Sequence, residues 1–259
     1  MNTLLKLTLA SAAACTLASG AVHARGADDI VSETRVIDAR VMRVTVEGPM
    51  GIVIKRGATP SLTIYAEKRY MPKIVTSQHG DNLRIDADMD GMNIKLGKNA
   101  IRAELTLPGL SEVTSSGVGP SDISGFTGDE IKLSLEGVGA VNFSGNYKRV
   151  TAKLAGVGDM TLNTGASDYV NVSHPGLGRV TLTGSARDMK ANLSGMGNLD
   201  AQKMLADNVT LRMDGLGSAS VYAKVAANLT LNGLGSVTAY GQPPQRNVSV
   251  DGLGKVSWK

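Results

Sequence analysis

The stretch from Ile131 to Phe143, IKLSLEGVGAVNF, contains the pattern that decides the fold. Apolar and polar residues alternate before the two glycines, and the alternation resumes after them at Val141. Alternation with a period of two is typical of β-strands. Gly137 and Gly139 lack a Cβ and tolerate positive φ, so the backbone can bend sharply between the strands. The stretch therefore predicts a strand, a glycine corner and a second strand.

The same Gly-x-Gly corner occurs eight times at nearly constant spacing. Successive first glycines are 20, 19, 20, 19, 20, 18 and 19 residues apart. The corner glycines are Gly117, Gly119, Gly137, Gly139, Gly156, Gly158, Gly176, Gly178, Gly195, Gly197, Gly215, Gly217, Gly233, Gly235, Gly252 and Gly254. Such a period over more than half of the chain indicates a repeat architecture. We predict an all-β fold, a right-handed parallel β-helix or β-solenoid with about eight coils of roughly 19–20 residues.

The residue between the two glycines is apolar in all eight copies. We interpret the corner as a point where the inward-facing phase shifts by one residue, and we expect this middle residue to point into the interior. The glycines then serve the backbone and contact neither phosphate nor metal. A second bend is expected six or seven residues after most corners, at Gly125, Gly145, Gly165, Gly184 and Gly241.

Outward residues five positions after each first corner glycine are predicted to stack, because equivalent residues of neighbouring coils lie about 4.8 Å apart. We call this row the polar ladder. Its members are Asp122, Asn142, Thr161, Thr181, Asp200, Ser220, Thr238 and Ser257. The ladder is either a solvated face with good β propensity or a regular recognition surface for a repetitive ligand such as a polysaccharide.

The chain divides into a signal peptide at residues 1–24, an N-terminal β-rich capping region at 25–110 and the Gly-x-Gly solenoid at 111–259. Short alternating runs separated by turn signals predict strands throughout residues 36–107. The sequence leaves open whether these strands form irregular first coils or a separate sheet that seals the end of the stack.

The first 24 residues predict export from a bacterial cell. Lys6 precedes a short apolar run, and Val22-His23-Ala24 fits a cleavage pattern ending at Ala24. In the alternative interpretation, Cys15, the only cysteine, is the lipidated residue of a lipoprotein. No later apolar stretch reaches the roughly 18 residues of a membrane-spanning helix, so we expect a periplasmic or surface location without a transmembrane span.

The residues from Val44 onward resemble a bacterial family, the putative auto-transporter adhesins with a head GIN domain. The resemblance rests on VTVEGPMGIVIKRG (44–57), SLTIYAE (61–67), KIVTSQHGDNLRIDAD (73–88) and IRAELTLPGLSEVTSSGVG (101–119), followed by the serial corners. It implies an exported β-solenoid of unknown biochemical function and carries over no catalytic residue. An autotransporter would also need a membrane anchor after its last coil, so we expect another means of attachment.

Several classes of chemistry do not fit the pattern, and we predict no catalytic residue, metal site or cofactor. No helix or third glycine follows the corners, as dinucleotide binding requires. Calcium-binding β-rolls need a nine-residue period with a regular Asp. The net charge of +4 is small and the basic residues are scattered, which argues against nucleic-acid binding. Carboxylate pairs that could cleave glycans are Glu112 with Asp122, Glu136 with Asp159, and Asp188 with Asp200, without the loops that would form a cleft.

Two single residues stand out. His174 occupies a position that other coils fill with Leu, Met or Val, and we interpret it as a polar defect tolerated beside Pro175, although it could make one coil sensitive to pH. His79 lies in a polar turn. Trp258 falls on an inward position of the last coil, where it either closes the stack or contacts a partner or second copy.

Three functional hypotheses follow. The first is a non-enzymatic, adhesin-like binding or structural module of the bacterial envelope that acts on a glycan, a cell-surface component or an envelope protein. The second is a glycan-active enzyme, lyase-like or hydrolase-like, built on a β-helix. The third is an envelope element that assembles end to end.

Overall fold

The computed structural model describes residues 30–89 and 101–259. Strands contain 78% of these residues, and they form a β-solenoid of about 7 turns. The described segments contain no α-helix, only a 3₁₀-helix at Met71–Lys73. The all-β solenoid prediction is therefore confirmed, with eight corners bounding about seven complete turns. The predicted signal peptide at residues 1–24, including Cys15 and the predicted cleavage site at Ala24, lies outside the described residues.

The described residues form seventeen strands, which hydrogen-bond into one continuous sheet. They are β1 (Ile30–Arg35), β2 (Arg43–Glu47), β3 (Met50–Arg56), β4 (Ser61–Glu67), β5 (Ile74–His79), β6 (Asn82–Ala87), β7 (Ile101–Leu107), β8 (Glu112–Ser115), β9 (Val118–Leu135), β10 (Val138–Leu154), β11 (Val157–His174), β12 (Leu177–Leu193), β13 (Met196–Met213), β14 (Leu216–Leu231), β15 (Leu234–Tyr240), β16 (Gln245–Val250) and β17 (Gly254–Trp258). Hydrogen bonds join β2 to β8 across the expected boundary at residue 110, and the division into two domains stays a prediction.

The long strands β9 to β14 each form most of one coil and pair in parallel with the next. The register is interrupted near the second bend of the coil, for example between Asn163 and Ala166, where one strand carries extra residues. These bulges absorb the variation in repeat length from 18 to 20 residues. The shape of the coil is therefore kept while its length changes.

The core consists of ladders of apolar side chains, one from each coil. One such ladder contains Val150, Val170, Met189, Val209 and Ala227, all buried. Buried aromatic residues lie in the first regular coils, where the Phe143 and Tyr147 ring centroids are 6.1 Å apart. The buried Tyr147 hydroxyl donates a hydrogen bond to the Leu110 carbonyl at 2.7 Å, and burial raises the pKa of Tyr147 to about 12. This bond connects the coils to the segment that leads into them.

At the corners, backbone approaches backbone. A Cβ on Gly156 would overlap the Gly137 carbonyl oxygen of the preceding coil. A Cβ on Gly158 would overlap the Gly139 carbonyl oxygen, and Gly158 also has a φ of +143°, which L side chains rarely adopt. At this corner both glycines are thus required for close stacking, and Gly158 additionally for its conformation. The second glycines Gly119, Gly139, Gly178 and Gly217 share the positive φ.

The prediction that the middle residue of each corner points inward is wrong. Val138 is 50% exposed, and the other seven middle residues are exposed as well. The buried residues Leu135 and Val141 flank the corner six positions apart, an even number, so the alternation passes through without a shift. The glycines take the inward phase and the middle residue takes the outward phase. The change of phase occurs instead near the second bend, between the buried Tyr147 and Val150.

The N-terminal strands both extend the solenoid and seal it. Strands β2 and β3 stack in parallel on β8 and β9, and β6 and β7 stack in parallel on β2 and β3. Strands β5 and β4 then pair antiparallel with β6 and β7, and β1 pairs antiparallel with β4. Both alternatives left open by the sequence therefore occur in this region. Strands β2, β3, β6 and β7 form irregular first coils, and β1, β4 and β5 seal the end of the stack.

A further corner precedes the eight that the sequence shows. Gly48 and Gly51 lie where β2 turns into β3, and the Val118 amide donates to the Gly48 carbonyl at 2.9 Å. The register across this corner is uninterrupted, since Val46 lies opposite Ser115 and Ile52 opposite Ser121, so Gly48 and Met50 take the positions of Gly117 and Gly119. Met50 in place of the second glycine hides this corner from the Gly-x-Gly pattern.

Candidate functional site

The polar ladder is continuous in the structure. Each member lies directly opposite the next in the parallel register, from Asp122 to Ser257. Its side chains are exposed or half-buried. The Asn142 amide donates a hydrogen bond to the Asp122 carboxylate at 2.8 Å. Because neighbouring coils repeat at about 4.8 Å, the ladder presents polar groups at a fixed spacing along the stack.

Similar bonds between coils occur on other outward rows. They join Asn208 to Asp188 at 2.9 Å, Asn232 to Asp214 at 2.6 Å and Asn247 to Asn228 at 2.7 Å. Side chains held by a neighbour lose less rotamer freedom when a ligand arrives. The outward faces are therefore partly ordered before any contact with a partner.

The exposed middle residues form a second surface, which we call the corner ladder. It consists of Val118, Val138, Val157, Leu177, Met196, Leu216, Leu234 and Leu253. The members from Val118 to Leu234 are consecutive partners in the parallel register. This surface was not predicted from the sequence, because the middle residues of the corners were expected to point into the interior.

The candidate carboxylate pairs interact with other partners. Glu136 lies 3.8 Å from the Lys153 ammonium, and an Asp159 oxygen accepts the Arg179 backbone amide at 3.2 Å. Hydrogen bonds from Arg187 and then Asn208 lower the pKa of Asp188. A glycosidase acid needs a raised pKa, so this carboxyl has the opposite electrostatic environment. In the third pair, Glu112 lies opposite Lys132 and Asp122 opposite Asn142.

A metal site requires several His, Cys, Asp or Glu side chains around one point. No group of three or more His, Cys, Asp or Glu side chains in the part of the chain that the structure describes could hold a metal ion. His79 ends β5 at an exposed hairpin. The described residues therefore contain no cluster of side chains that could bind a metal ion.

His174 lies inside the solenoid. Its side chain is buried, its Nε2 atom has no hydrogen-bond partner among the described residues, and burial lowers its pKa. It stands opposite Leu193 in the next coil, and a Cβ on Gly197 would overlap its ring. The structure thus places His174 where the sequence analysis expected a polar defect.

Trp258 packs against the core in the last coil, opposite Ala239. The Arg246 guanidinium lies 4.6 Å from the centre of its ring. One face of the indole is therefore covered by a cation and the ring is partly buried. This arrangement favours the interpretation that Trp258 closes the end of the stack over the alternative that it contacts a partner or a second copy.

An aromatic cleft near the second bend of the late coils was missed by the sequence analysis. Tyr222 of β14 lies directly opposite Tyr240 of β15, and Leu205 lies opposite Tyr222. Together with Gln202, Lys203 and Gly241 they line an open cavity of about 440 Å³. A signal was present in the sequence, since the two tyrosines are 18 residues apart, the same interval as Gly215 and Gly233.

Comparison with solved structures shows the fold. A crystal structure of a putative adhesin from Bacteroides fragilis NCTC 9343 is similar with a TM-score of 0.69 and 20% identity, covering 90% of this chain and 98% of that chain. One from Parabacteroides merdae ATCC 43184 has a TM-score of 0.73 at 16% identity, covering 89% and 96%. A putative lipid binding protein from Parabacteroides distasonis ATCC 8503 has a TM-score of 0.65 at 20% identity, covering 88% and 96%. At these identities the likeness concerns architecture.

The remaining comparisons concern sequence and membrane topology. A search of curated proteins found no match. No helix among the described residues has the length and hydropathy to cross a membrane. The sequence profile of the family described as "Putative auto-transporter adhesin, head GIN domain" matches residues 42–243. This match confirms the resemblance noted in the sequence, and the chain belongs to that family.

Proposed function

We propose that the protein is a non-enzymatic, adhesin-like binding module, exported to the periplasm or surface of a bacterium, that contacts a glycan or another envelope component through the polar ladder. The observation that carries this proposal is the unbroken register of eight small polar residues, one on each successive coil. A ligand that repeats along its length can contact several equivalent positions at once, which multiplies weak interactions. Membership of an adhesin-named family supports an external role.

The test uses the mature protein and bacterial envelope fractions in a sedimentation binding assay. The variant Thr161→Arg/Thr181→Arg places two bulky cations in the middle of the ladder. The matched control is Thr210→Arg, an exposed strand residue of β13 on another row. We expect the ladder variant to lose at least tenfold in binding and the control to bind like the wild type. Equal binding by all three proteins would contradict the proposal.

A second candidate function, end-to-end self-association, is favoured by strand β16. All six of its residues are exposed, and Val248 and Val250 continue the rows of the buried Leu229 and Leu231. Among the described strands β16 pairs only with β14, and apolar residues on a strand with one open edge favour pairing with another chain. Light scattering should show a mass that rises with concentration for the wild type and stays monomeric for Val248→Lys. A monomeric wild type would rule this candidate out.

A further inference from the structure

We propose that the aromatic cleft formed by Leu205, Tyr222 and Tyr240 binds a sugar ring of an acidic polysaccharide. The inference deepens the proposed function and rests on it, because it names the ligand class for the outward face of the same coils. Ser220 and Thr238 of the polar ladder lie two residues before Tyr222 and Tyr240, so each tyrosine shares a strand face with a ladder hydroxyl. A chain lying along the ladder would reach the cleft without leaving this face.

The cleft exists because of two local features of the backbone. The pairing of β13 with β14 is interrupted between Ala201 and Leu205, and the extra residues bring Gln202 and Lys203 to the rim. On the other side Gly241 has a φ of +91°, and a Cβ there would overlap the Ala223 carbonyl oxygen and lie 3.0 Å from the Tyr222 Cζ atom. A larger residue at Gly241 would therefore shift the backbone and crowd the Tyr222 ring. The bulge and the glycine together keep the tyrosines accessible.

The chemistry of the lining fits a pyranose. The faces of aromatic rings carry partial negative charge and attract the C–H bonds of a sugar, which its oxygen atoms polarise. The two in-register tyrosines both line the cleft, and the exposed Leu205 extends the apolar surface. The Gln202 side chain at the rim can donate and accept hydrogen bonds, as sugar hydroxyls require. The cleft therefore joins an apolar platform to polar groups at its edge.

The charge at the rim favours an acidic sugar. Lys203 lines the cleft, and Lys224 follows Tyr222 by two residues on the exposed side of β14. Neither lysine has an ion-pair partner within the segments 30–89 and 101–259. The nearest ladder acid, Asp200, accepts the Gln202 backbone amide at 3.3 Å. The positive charges of Lys203 and Lys224, close to the tyrosines, complement a carboxylate on the sugar ring.

The experiment measures binding of defined oligosaccharides to the mature protein by isothermal titration calorimetry. The probes are a hexamer of galacturonic acid, a hyaluronan hexamer, and the methyl ester of the galacturonic acid hexamer as the uncharged control. We expect saturable binding of at least one acidic hexamer and at least fivefold weaker binding of the ester. Binding of neither acidic hexamer, or equal binding of acid and ester, would overturn the inference.

Three variants locate the site. Tyr240→Ala should weaken binding of the acidic hexamer at least tenfold, and Lys203→Gln should weaken it severalfold without affecting the ester. The control is Tyr169→Ala, a half-buried tyrosine on β11 outside the cleft, which should bind like the wild type. Thermal unfolding of each variant verifies that it is folded. Unchanged binding by a folded Tyr240→Ala would overturn the assignment.

The outcomes separate this inference from the proposed function. If the wild type binds envelope fractions through the ladder but binds no acidic hexamer, the cleft inference fails and the proposed function stands. If the hexamer binds at the cleft while the ladder variant still binds envelope fractions like the wild type, the ladder proposal fails and the cleft stands.

Discussion

The regular coils and the N-terminal region solve the same stacking problem with different interactions. In the coils, successive strands meet in parallel register and the backbones touch at glycine corners. In the N-terminal region, antiparallel strands end the stack, and long side chains bridge them, as when Arg35 donates to the Ile74 carbonyl at 2.8 Å. Ion pairs such as Arg43 with Asp81 and Arg84 with Glu47 also lie there. Regular stacking thus depends on the absence of side chains at a few points, whereas the irregular end depends on particular side chains.

The largest effect expected from this difference is at a corner glycine. Gly156→Ala places a Cβ against the Gly137 carbonyl oxygen in the middle of the stack, and only a backbone shift can relieve it. We expect a loss of about 3 kcal/mol or more in the free energy of unfolding. The N-terminal control is Gly80→Ala, where φ is +63° but nothing lies within 4 Å of the added Cβ. It should cost only about 1 kcal/mol, because the strain is conformational alone.

Urea unfolding followed by circular dichroism measures both variants. Equal destabilisation by Gly156→Ala and Gly80→Ala would show that close backbone contact at the corners does not contribute to the stability of the coils.

The corners also show what the sequence could and could not predict. The period of Gly-x-Gly and the alternation around Ile131 to Phe143 were enough for the fold, the strands and the position of the polar ladder. The predicted inward direction of Val138 was wrong, because the alternation of inward and outward residues was taken to shift by one residue across the corner. The corner at Gly48 escaped because Met50 stands where the second glycine would be, and the cleft at Tyr222 escaped because the bulge between Ala201 and Leu205 interrupts the register there. The order of β6, β2 and β8 in space is not their order in the chain, and periodicity does not encode it.

The second prediction contrasts the two histidines. His174 is buried in a coil and its Nε2 atom has no partner in the segments that the structure describes, whereas His79 is exposed in the N-terminal hairpin. A buried polar atom without a partner costs about 1–3 kcal/mol, and leucine fills the same row at Leu193. His174→Leu should therefore stabilise the protein by about 1–2 kcal/mol, and His79→Leu should change stability little. Destabilisation by His174→Leu in urea unfolding would show that the imidazole packs better than leucine.

The same residue gives a prediction for pH. Burial lowers the pKa of His174 in the folded state, so below its ordinary value of about 6.5 the unfolded chain binds a proton that the folded chain does not. The stability contribution is complete above that pH and decreases as the pH falls through it. The difference in stability between His174→Leu and the wild type should therefore grow from pH 7 to pH 5. A difference independent of pH would mean that His174 titrates normally in the fold.

The third prediction concerns the junction of the two regions. Tyr147→Phe removes the hydroxyl that donates to the Leu110 carbonyl, and so it leaves a buried acceptor without this donor. We expect a loss of about 1 kcal/mol in the free energy of unfolding. Tyr169→Phe, at a half-buried outward position, serves as the matched control and should be nearly neutral. Equal losses for both variants would show that the link contributes nothing specific.

The smallest effect is expected for an ion pair of the N-terminal region. The Arg84 guanidinium lies 2.5 Å from a Glu47 oxygen and 3.1 Å from an Asp86 oxygen, with about half of its side chain exposed. Solvent screens such pairs, so Arg84→Gln should cost less than about 1 kcal/mol, and the cost should fall further in high salt. Urea unfolding at low and high salt measures this difference. A loss as large as that of Gly156→Ala would mean that the side-chain bridges hold the N-terminal end as firmly as backbone contact holds the coils.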